Sequence, residues 1–311
     1  MGMTMSGVSS IITGTGLGKI YQSGFFSHQK TFAVQDVDIE IKAGETYALV
    51  GESGSGKTTL GKILLKLISP TTGRIFYHNE DITDLQGPEL IPIRRKMQII
   101  PQHPEDAFNP RWRLSRSIME PFLIHGQAQE KGGLKNVLLE LLAETGLNPD
   151  YAERYPHQLS GGELQRAAIA RALALKPDFI LCDEPTSMLD VSVQAAIIQL
   201  LLSLQKRSTI SLLFITHDLK LADHIADRVG VMYNGHIIEE GSGILKSPMH
   251  PYSQSIVRGH KHQRPDQSIP SHESCPFVLQ CPNKTEKCQT IPSVTDCSGR
   301  KIRCHHPFKY D

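Results

Sequence analysis

A glycine-rich loop carrying a lysine is the first feature of this chain that could do chemistry. Residues 51–58 read Gly-Glu-Ser-Gly-Ser-Gly-Lys-Thr and fit the pattern Gly-x-x-x-x-Gly-Lys-Ser/Thr. Backbone N–H groups can turn inward around phosphate oxygens only where side chains leave room, which is why such a loop needs glycine. The apolar run 47–50 predicts a buried strand before the loop, and residues 59–68 predict a helix after it, ended by Pro70. This setting favours a phosphate-binding loop over a chance match.

Each polar residue of this loop has an expected part. Lys57 is expected to reach the β- and γ-phosphates of a nucleotide, and the hydroxyl of Thr58 to bind Mg²⁺. The N-terminal end of the following helix adds positive potential. The residues predicted to bind the nucleotide here are Gly51, Glu52, Ser53, Gly54, Ser55, Gly56, Lys57, Thr58 and Thr59.

Two adjacent acidic residues follow a second apolar run. Residues 179–182 predict a buried strand, which delivers Asp183 and Glu184 to the sheet edge that carries the phosphate loop. Buried carboxylates are costly without a partner. We expect Asp183 to hold Mg²⁺ and Glu184 to act as general base on the attacking water. Cys182 is interpreted as a small core residue.

A third motif, at residues 159–166, belongs with the phosphate loop and the two acidic residues. Its residues read Leu-Ser-Gly-Gly-Glu-Leu-Gln-Arg, and together with the loop and the acids they resemble the nucleotide-binding subunits of ATP-binding-cassette (ABC) transporters. In that family Ser160, Gly161 and Gly162 would form a second anion cradle at the start of a helix. The resemblance implies that this cradle grips the γ-phosphate of ATP on an opposite ATPase subunit, identical or homologous, so that one chain alone has no complete site.

The resemblance assigns roles to two further polar residues. His217 follows a strand predicted over residues 211–215 and resembles the switch histidine that contacts the γ-phosphate and the attacking water. A solvated loop histidine is the alternative. Gln102 resembles the glutamine that senses Mg²⁺ and the γ-phosphate.

Two more positions are assigned by the resemblance. Asp190 closes the stretch Ser-Met-Leu-Asp at residues 187–190, which is similar to the loop that communicates across the dimer, and methionine stands where the family commonly has alanine. Tyr21 resembles the aromatic residue that stacks on adenine. Stacking needs only a flat ring, so Phe25 and Phe26 are alternatives.

Length and composition agree with a single cassette and an appendage. The chain has 311 residues, of which 39% are hydrophobic, enough for a large core. Its formal net charge of +1 provides no basic field for nucleic acid. No apolar stretch approaches the roughly 20 residues that span a bilayer. We therefore expect a protein on the cytoplasmic face of the cell membrane, with the transport path in separate subunits.

The expected fold is α/β: a P-loop NTPase cassette with a RecA-like core. Residues 1–249 would form the nucleotide-binding domain, with an antiparallel β front that includes 32–41 and 74–78. A helical subdomain is expected at about 103–166, and residues 250–311 form a cysteine-rich C-terminal extension. Helices are also predicted within 133–146 and over 193–206.

A short segment after Gln102 narrows the family. Residues 108–111 read Phe-Asn-Pro-Arg and resemble the dipeptide, oligopeptide and nickel importers, whereas the alternative is a proline-bounded turn. In such importers the ATPases drive uptake through two transmembrane permease subunits and receive cargo from an extracytoplasmic substrate-binding protein. Peptides and a nickel complex both remain open as cargo.

Five of the six cysteines lie beyond residue 274, and clustered cysteines in a cytosolic chain favour metal over disulfides. Their spacing, Cys-x₅-Cys-x₆-Cys and then Cys-His, resembles the C-terminal extension of peptide and nickel importer ATPases. The resemblance implies a [4Fe-4S] cluster, with Zn²⁺ or free thiols as alternatives. The implied ligands are Cys275, Cys281, Cys288 and Cys304, with Cys297 as a spare.

Few aliphatic residues surround these cysteines, so we expect the extension not to hold its shape by core burial alone. Because the cysteines lie far along the chain from Lys57 and Glu184, we expect loss of their ligand to spare ATP binding.

Three other classes of ABC protein fit less well. A soluble ABC ATPase of DNA repair or translation would carry a coiled-coil insertion, a second cassette or a basic surface. An exporter ATPase would lack the cysteine-rich extension, and a regulatory cassette would have lost a catalytic group. Lys57, Asp183, Glu184 and His217 are all present.

Overall fold

A computed structural model describes residues 9–23, 29–126, 133–260, 262 and 273–308. The strands are β1 (Ser10–Ser23), β2 (Gln29–Lys42), β3 (Thr46–Val50), β4 (Thr72–Tyr77), β5 (Glu80–Asp81), β6 (Met97–Ile100), β7 (Phe179–Asp183), β8 (Ser211–Thr216), β9 (Arg228–Tyr233), β10 (His236–Gly241), β11 (Val294–Cys297) and β12 (Arg300–Arg303). The helices are α1 (Lys57–Leu64), α2 (Ile91–Lys96), α3 (Leu114–Ile124), α4 (Gly133–Glu144), α5 (Gly161–Leu173), α6 (Val191–Ser208), α7 (Leu219–Ile225) and α8 (Pro251–Val257).

The chain forms two compact units. Unit 1 comprises residues 1–84 and 213–311, and unit 2 comprises residues 85–212. The chain passes from unit 2 back to unit 1 within β8. Among the described residues, no helix combines the length and the apolarity that crossing a bilayer requires.

Unit 1 contains an antiparallel sheet with the strand order β2-β1-β4-β5. Ile12 of β1 lies opposite Ile41 of β2 on one side and Tyr77 of β4 on the other. All three side chains are buried, which fixes the register because a slip by one residue would turn them towards solvent. The predicted antiparallel front is confirmed.

A second set of strands in unit 1 begins with β3, whose five residues are all buried. It pairs in parallel with β9, with Leu49 opposite Gly230. Burial on both faces explains why this strand reads as a continuous apolar run. Next to β9 lies β10, and β10 pairs with β12 through Glu239 and Ile302. The C-terminal extension therefore lengthens the sheet that carries the phosphate loop.

The extension also contributes to the core of unit 1. Cys275, Phe277 and Cys288 pack with buried residues of the sheet, among them Val50 and Tyr233. Phe277 is only 1% exposed. Core burial thus contributes more to the extension than its few aliphatic residues led us to expect, because an aromatic ring and two thiols fill the space instead.

Unit 2 contains most of the helices. Its strands β6 and β7 pair in parallel, with Ile99 opposite Leu181. Helix α5 is tied to its neighbours by two arginines: Arg171 forms a 2.7 Å ion pair with Glu120, and Arg166 donates to the carbonyl of Thr145 at 2.8 Å. The helices predicted within 133–146 and over 193–206 are confirmed as α4 and α6.

One helix boundary was predicted wrongly. The helix after the phosphate loop spans Lys57–Leu64 and not residues 59–68. Lys66, with a φ of 53°, has a left-handed backbone conformation that no α-helix can contain. Pro70 is therefore not the residue that ends the helix.

Candidate nucleotide site and cysteine pocket

Lys57 is folded back onto the phosphate loop of unit 1. Its side chain is 5% exposed, and its Nζ donates to the carbonyl oxygens of Gly51 and Glu52 at 2.8 and 2.9 Å. A buried ammonium group needs such acceptors. Two carbonyl groups of the loop therefore hold the Lys57 ammonium group against the loop backbone.

Two glycines of the loop are required by space as well as by backbone conformation. Gly56 has a φ of 108°, and a Cβ atom there would lie 2.2 Å from the carbonyl oxygen of Ala33. At Gly51 a Cβ atom would lie 2.2 Å from the carbonyl oxygen of Met232. Any other residue would both strain the backbone and displace these strands.

The loop also presents an unused hydroxyl group. The Ser55 carbonyl accepts from the N–H of Gly235 at 2.9 Å, which fixes that part of the loop against the turn between β9 and β10. Within the described part of the chain, the buried Oγ of Ser55 has no hydrogen-bond partner. A buried hydroxyl is normally paired, so this loop fits an anionic ligand with oxygen atoms.

His217 lies in unit 1 directly after β8 and is exposed. The next residue, Asp218, caps α7 by accepting from the N–H groups of Lys220 and Leu221 at 2.9 and 3.1 Å. This cap fixes the backbone beside His217. His217 thus follows the end of a buried strand, and its role as a switch histidine stays a prediction.

Unit 2 carries the two acids. Asp183 is the last residue of β7 and is 6% exposed. Glu184 has a φ of 45°, so the chain turns sharply there. The alternation of side-chain directions that holds along β7 therefore does not extend to Glu184. Cys182 is fully buried, as predicted, and burial raises the pKa of its thiol.

Two hydrogen-bonding steps link Gln102 to the backbone of Glu184. The N–H and Oγ of Ser187 both donate to the carbonyl oxygen of Glu184, at 3.2 and 3.1 Å. Gln102 Nε2 donates to Ser187 Oγ at 3.5 Å, a long contact. Gln102 is therefore linked through Ser187 to the backbone of Glu184, and the catalytic roles of Gln102 and Glu184 stay predictions.

Ser160 begins α5 through reciprocal hydrogen bonds with Glu163. The Ser160 N–H donates to Glu163 Oε2 at 2.8 Å, and the Glu163 N–H donates to Ser160 Oγ at 3.4 Å. The Ser160 N–H and the Tyr151 hydroxyl lower the pKa of Glu163. A Cβ atom at Gly162 would lie 2.6 Å from Val193 Cγ1, so packing also requires this glycine.

Asp190 caps a helix, and Tyr21 has a partly exposed ring. Asp190 caps α6 by accepting from the Val193 N–H at 3.0 Å, a structural role that the sequence reasoning missed. The Tyr21 ring is 40% exposed, and Lys19 Nζ lies 5.4 Å from its centroid. The alternatives Phe25 and Phe26 lie outside the described residues. The assigned contacts of Asp190 and Tyr21 with nucleotide stay predictions.

Comparison with known proteins decides the family. The family model described as ABC transporter matches residues 34–187. A putative oligopeptide transport ATP-binding protein, YkfD of Bacillus subtilis (strain 168), is 40% identical over 88% of this chain and 89% of its own length. This chain belongs to the ATP-binding subunits of ABC transporters.

Two further comparisons agree with this family assignment. The di/tripeptide transport ATP-binding protein DppF of Pseudomonas aeruginosa (strain UCBPP-PA14) is 33% identical over 97% of this chain and 99% of its own length. A dimeric post-hydrolysis structure of the ATP-binding cassette MJ0796 with ADP and Pi has a TM-score of 0.68 at 32% identity. It covers 74% of this chain and 98% of the other. The predicted ABC cassette fold and ATPase activity are confirmed, and as an ABC ATPase the subunit binds ATP and Mg²⁺.

The C-terminal extension of this ABC subunit also lines a pocket. It is a small cavity of about 10 Å³ in unit 1, partly open to solvent. All four predicted ligands line it, together with His250 and Phe277, whereas Cys297 does not. The cysteines in question are Cys275, Cys281, Cys288 and Cys304. In the described ranges, no group of three or more His, Cys, Asp or Glu side chains is arranged to hold a metal ion.

The chemistry of this pocket is set by burial. Burial raises the pKa of Cys304 to about 11 and also raises the pKa values of Cys275 and Cys281, so these thiols are protonated at neutral pH. Burial lowers the pKa of His250 to about 3, which keeps its imidazole neutral. Its Nδ1 accepts from the Tyr252 N–H at 3.0 Å, which leaves the proton on Nε2.

Sequence reasoning missed two residues that contact the phosphate loop. The Glu52 N–H donates to the Tyr252 hydroxyl at 3.2 Å, and the His262 N–H donates to the Glu52 carboxylate at 2.8 Å. About 200 residues separate these partners in sequence. Tyr252 belongs to a His-Pro-Tyr segment at residues 250–252, where the extension begins.

Proposed function

We propose that this ABC subunit hydrolyses ATP to power the uptake of dipeptides or oligopeptides. Its relatives from B. subtilis and P. aeruginosa are named for oligopeptide and di/tripeptide transport, and both match along almost their whole length. The observation that carries the proposal is the presence of the phosphate loop, both acids, Gln102, His217 and the Ser160 segment in one chain of this family.

Each residue has a definite role in the proposed hydrolysis. The amides of the phosphate loop and Lys57 hold the β- and γ-phosphates. Thr58 and Asp183 would hold Mg²⁺, and Gln102 would sense both Mg²⁺ and the γ-phosphate. His217 would contact that phosphate and the attacking water. Glu184 accepts the proton of that water as it attacks.

A second ATPase subunit completes the site. Ser160, Gly161 and Gly162 lie at the start of α5, where free N–H groups and the helix dipole favour an anion. We propose that they bind the γ-phosphate held by the opposite subunit, which is identical to this chain or homologous to it. Two permease subunits would carry the peptide across the membrane, and an extracytoplasmic binding protein would deliver it.

Nickel transport stays a weaker prediction. The relatives compared above are named for peptides, and selectivity among cargoes would reside in the permeases and the binding protein. The alternative of a soluble ABC ATPase in DNA repair or translation is not favoured, because relatives that match along nearly their full length are named for transport.

We also propose that the cysteine pocket binds a [4Fe-4S] cluster, with Zn²⁺ as the alternative. Four thiols around one cavity are the donor set that either group needs. The neutral His250 lines the same cavity and has a proton on Nε2 to donate to a sulfur atom. A bound cluster would crosslink three separate stretches of the extension and could exchange one electron.

Transport itself is tested with membrane vesicles that contain the permeases, this subunit and its ATPase partner, with ATP on the cytoplasmic side. We expect uptake of a labelled di- or tripeptide that depends on ATP and on the binding protein. Replacing Glu184 with Gln should abolish it. ATP-dependent uptake of Ni²⁺ with no uptake of peptide would overturn the peptide assignment and favour nickel.

A further inference from the structure

The phosphate loop of unit 1 is held from outside by the C-terminal extension. Tyr252 accepts from the backbone N–H of Glu52 at 3.2 Å, and the Glu52 carboxylate accepts from the backbone N–H of His262 at 2.8 Å. The Nδ1 atom of His262 lies 3.6 Å from the same carboxylate oxygen. Both the backbone and the side chain of the loop's second residue are therefore fixed by residues outside the ATP motifs.

These two anchors are themselves immobilised by packing. The Tyr252 side chain is fully buried within α8. The His262 side chain is 10% exposed, and its Nε2 lies 2.9 Å from Ser255 Oγ on the same helix. Buried and hydrogen-bonded side chains keep one rotamer. Tyr252 and His262 therefore hold Glu52 in one position.

Phe277 connects the anchors with the cysteine pocket. Its ring centroid lies 5.5 Å from that of Tyr252, 5.2 Å from that of His262 and 5.3 Å from that of Tyr233. The packing is close to edge-to-face, which is a favourable geometry for aromatic rings. Phe277 also lines the cysteine cavity, two residues after Cys275. One ring thus belongs to both the pocket wall and the support of the phosphate loop.

We infer that Tyr252 and His262 are positioning residues for ATP binding, and that Phe277 holds them in place. This inference rests on the proposed nucleotide role of residues 51–58. A loop that is already ordered pays less entropy when it wraps the phosphates, so the support increases ATP affinity. The sequence analysis expects that loss of the ligand of the cysteines spares ATP binding. The inference predicts the opposite, because a disturbance of the cysteine pocket would displace Phe277 and so weaken ATP binding.

The first test replaces Tyr252 with Phe, which removes the hydroxyl that accepts from Glu52 and keeps the buried ring. The Kd for a fluorescent ATP analogue should rise about 3- to 10-fold, the effect of one lost hydrogen bond. The kcat at saturating ATP should stay within about twofold, because bound phosphates then order the loop themselves. This split between Kd and kcat distinguishes positioning from general damage to the fold.

Tyr47→Phe is the matched control. Tyr47 is fully buried in β3, directly before the phosphate loop, and among the described residues its hydroxyl has no hydrogen-bond partner. Loss of this hydroxyl should leave the Kd for ATP unchanged. An equal rise in Kd for Tyr47→Phe and Tyr252→Phe would overturn the inference.

The second test replaces Phe277 with Leu, which keeps an apolar side chain in the core but removes the ring contacts. The Kd for ATP should rise in the same direction as for Tyr252→Phe, with the circular dichroism spectrum unchanged. If this variant does not fold, Tyr252→Phe decides alone. Wild-type ATP affinity in both folded variants would overturn the inference. Failure of the wild type itself to bind ATP would instead contradict the proposed role of the phosphate loop.

Discussion

At the scale of single residues, the phosphate loop shows how backbone conformation and space act together. Gly56 needs a φ of 108° and stands where a Cβ atom would meet the Ala33 carbonyl at 2.2 Å. Lys57 donates to two carbonyls of its own loop. Backbone conformation and space thus require glycine at position 56, and the loop's own carbonyl groups fix the position of the Lys57 ammonium group.

Replacing Gly56 with Ala should weaken ATP binding strongly. The added methyl group forces the loop away from Ala33 and places a non-glycine residue in a left-handed conformation, which costs about 1–2 kcal/mol before any clash. Titration with a fluorescent ATP analogue measures the effect, and we expect a loss of affinity of at least about tenfold.

The control for this prediction is Gly126→Ala. Gly126 also has a positive φ of 67°, but a Cβ atom there would meet nothing within 4 Å. This variant should lose some stability and keep its ATP affinity. Equal ATP affinity of the Gly56 and Gly126 variants would contradict the account of the loop.

At the scale of elements, the start of α5 combines a structural cap with a predicted anion cradle. Ser160 and Glu163 exchange hydrogen bonds, and the free energy of unfolding should fall by about 1 kcal/mol when Glu163 is replaced by Ala. Glu163→Gln should lose less, because the amide oxygen still accepts from the Ser160 N–H. Urea unfolding of the three proteins at pH 7 checks this order.

The charge of Glu163 makes the stability of the fold depend on pH. Its pKa is lowered in the folded state, so the group stabilises the fold at pH values above its unfolded pKa of about 4.3. That contribution is lost as pH falls through the lower folded pKa, where the carboxyl group becomes protonated. Wild type and Glu163→Gln should therefore converge in stability at the acidic end. A difference that grows on acidification would contradict this account.

The cysteine-rich extension is the second element with a direct test. If a [4Fe-4S] cluster binds, protein purified without oxygen should be brown, with about four irons per chain. Replacing Cys281 with Ser should bleach it. Cys297→Ser is the matched control and should keep the colour, because Cys297 does not line the cavity. One Zn²⁺ in a colourless protein would keep the site but change the metal, whereas native alkylation of all five thiols would remove the site.

The elements were predictable where periodicity or a motif is local. The strand before the phosphate loop, the β7 strand and helices α4 and α6 could be predicted because apolar spacing alone specifies them. The true end of α1 could not be predicted, because it depends on the left-handed backbone conformation of one residue, Lys66. The contacts of Tyr252 and His262 with Glu52 could not either, since residues about 200 positions apart meet only through the tertiary fold.

At the scale of the whole molecule, the proposed function requires two ATPase subunits. Ser160, in the proposed anion cradle at the start of α5, would act on ATP held by the other subunit. The Ser160→Arg variant should therefore lose hydrolysis, whereas ATP binding by the isolated chain should stay intact. Lys57→Ala should abolish both. The same loss of activity would thus have different causes in the two variants.

Mixing the two inactive variants tests this arrangement where the wild-type chain hydrolyses ATP as a homodimer. In the mixed dimer both lesions fall on one composite site and the other site is intact. With random mixing and independent sites, about a quarter of wild-type activity should return. No recovery on mixing, or loss of ATP binding by Ser160→Arg alone, would contradict action across the dimer.

The most direct test of the central claim is the Glu184→Gln variant, which keeps the shape of the side chain and removes the proposed base. We expect hydrolysis to fall at least about 100-fold, with ATP affinity nearly unchanged and an ATP-bound dimer visible by light scattering. Glu144→Gln, which alters an exposed carboxylate of unit 2, should hydrolyse ATP at the wild-type rate. A wild-type rate in Glu184→Gln would contradict the account.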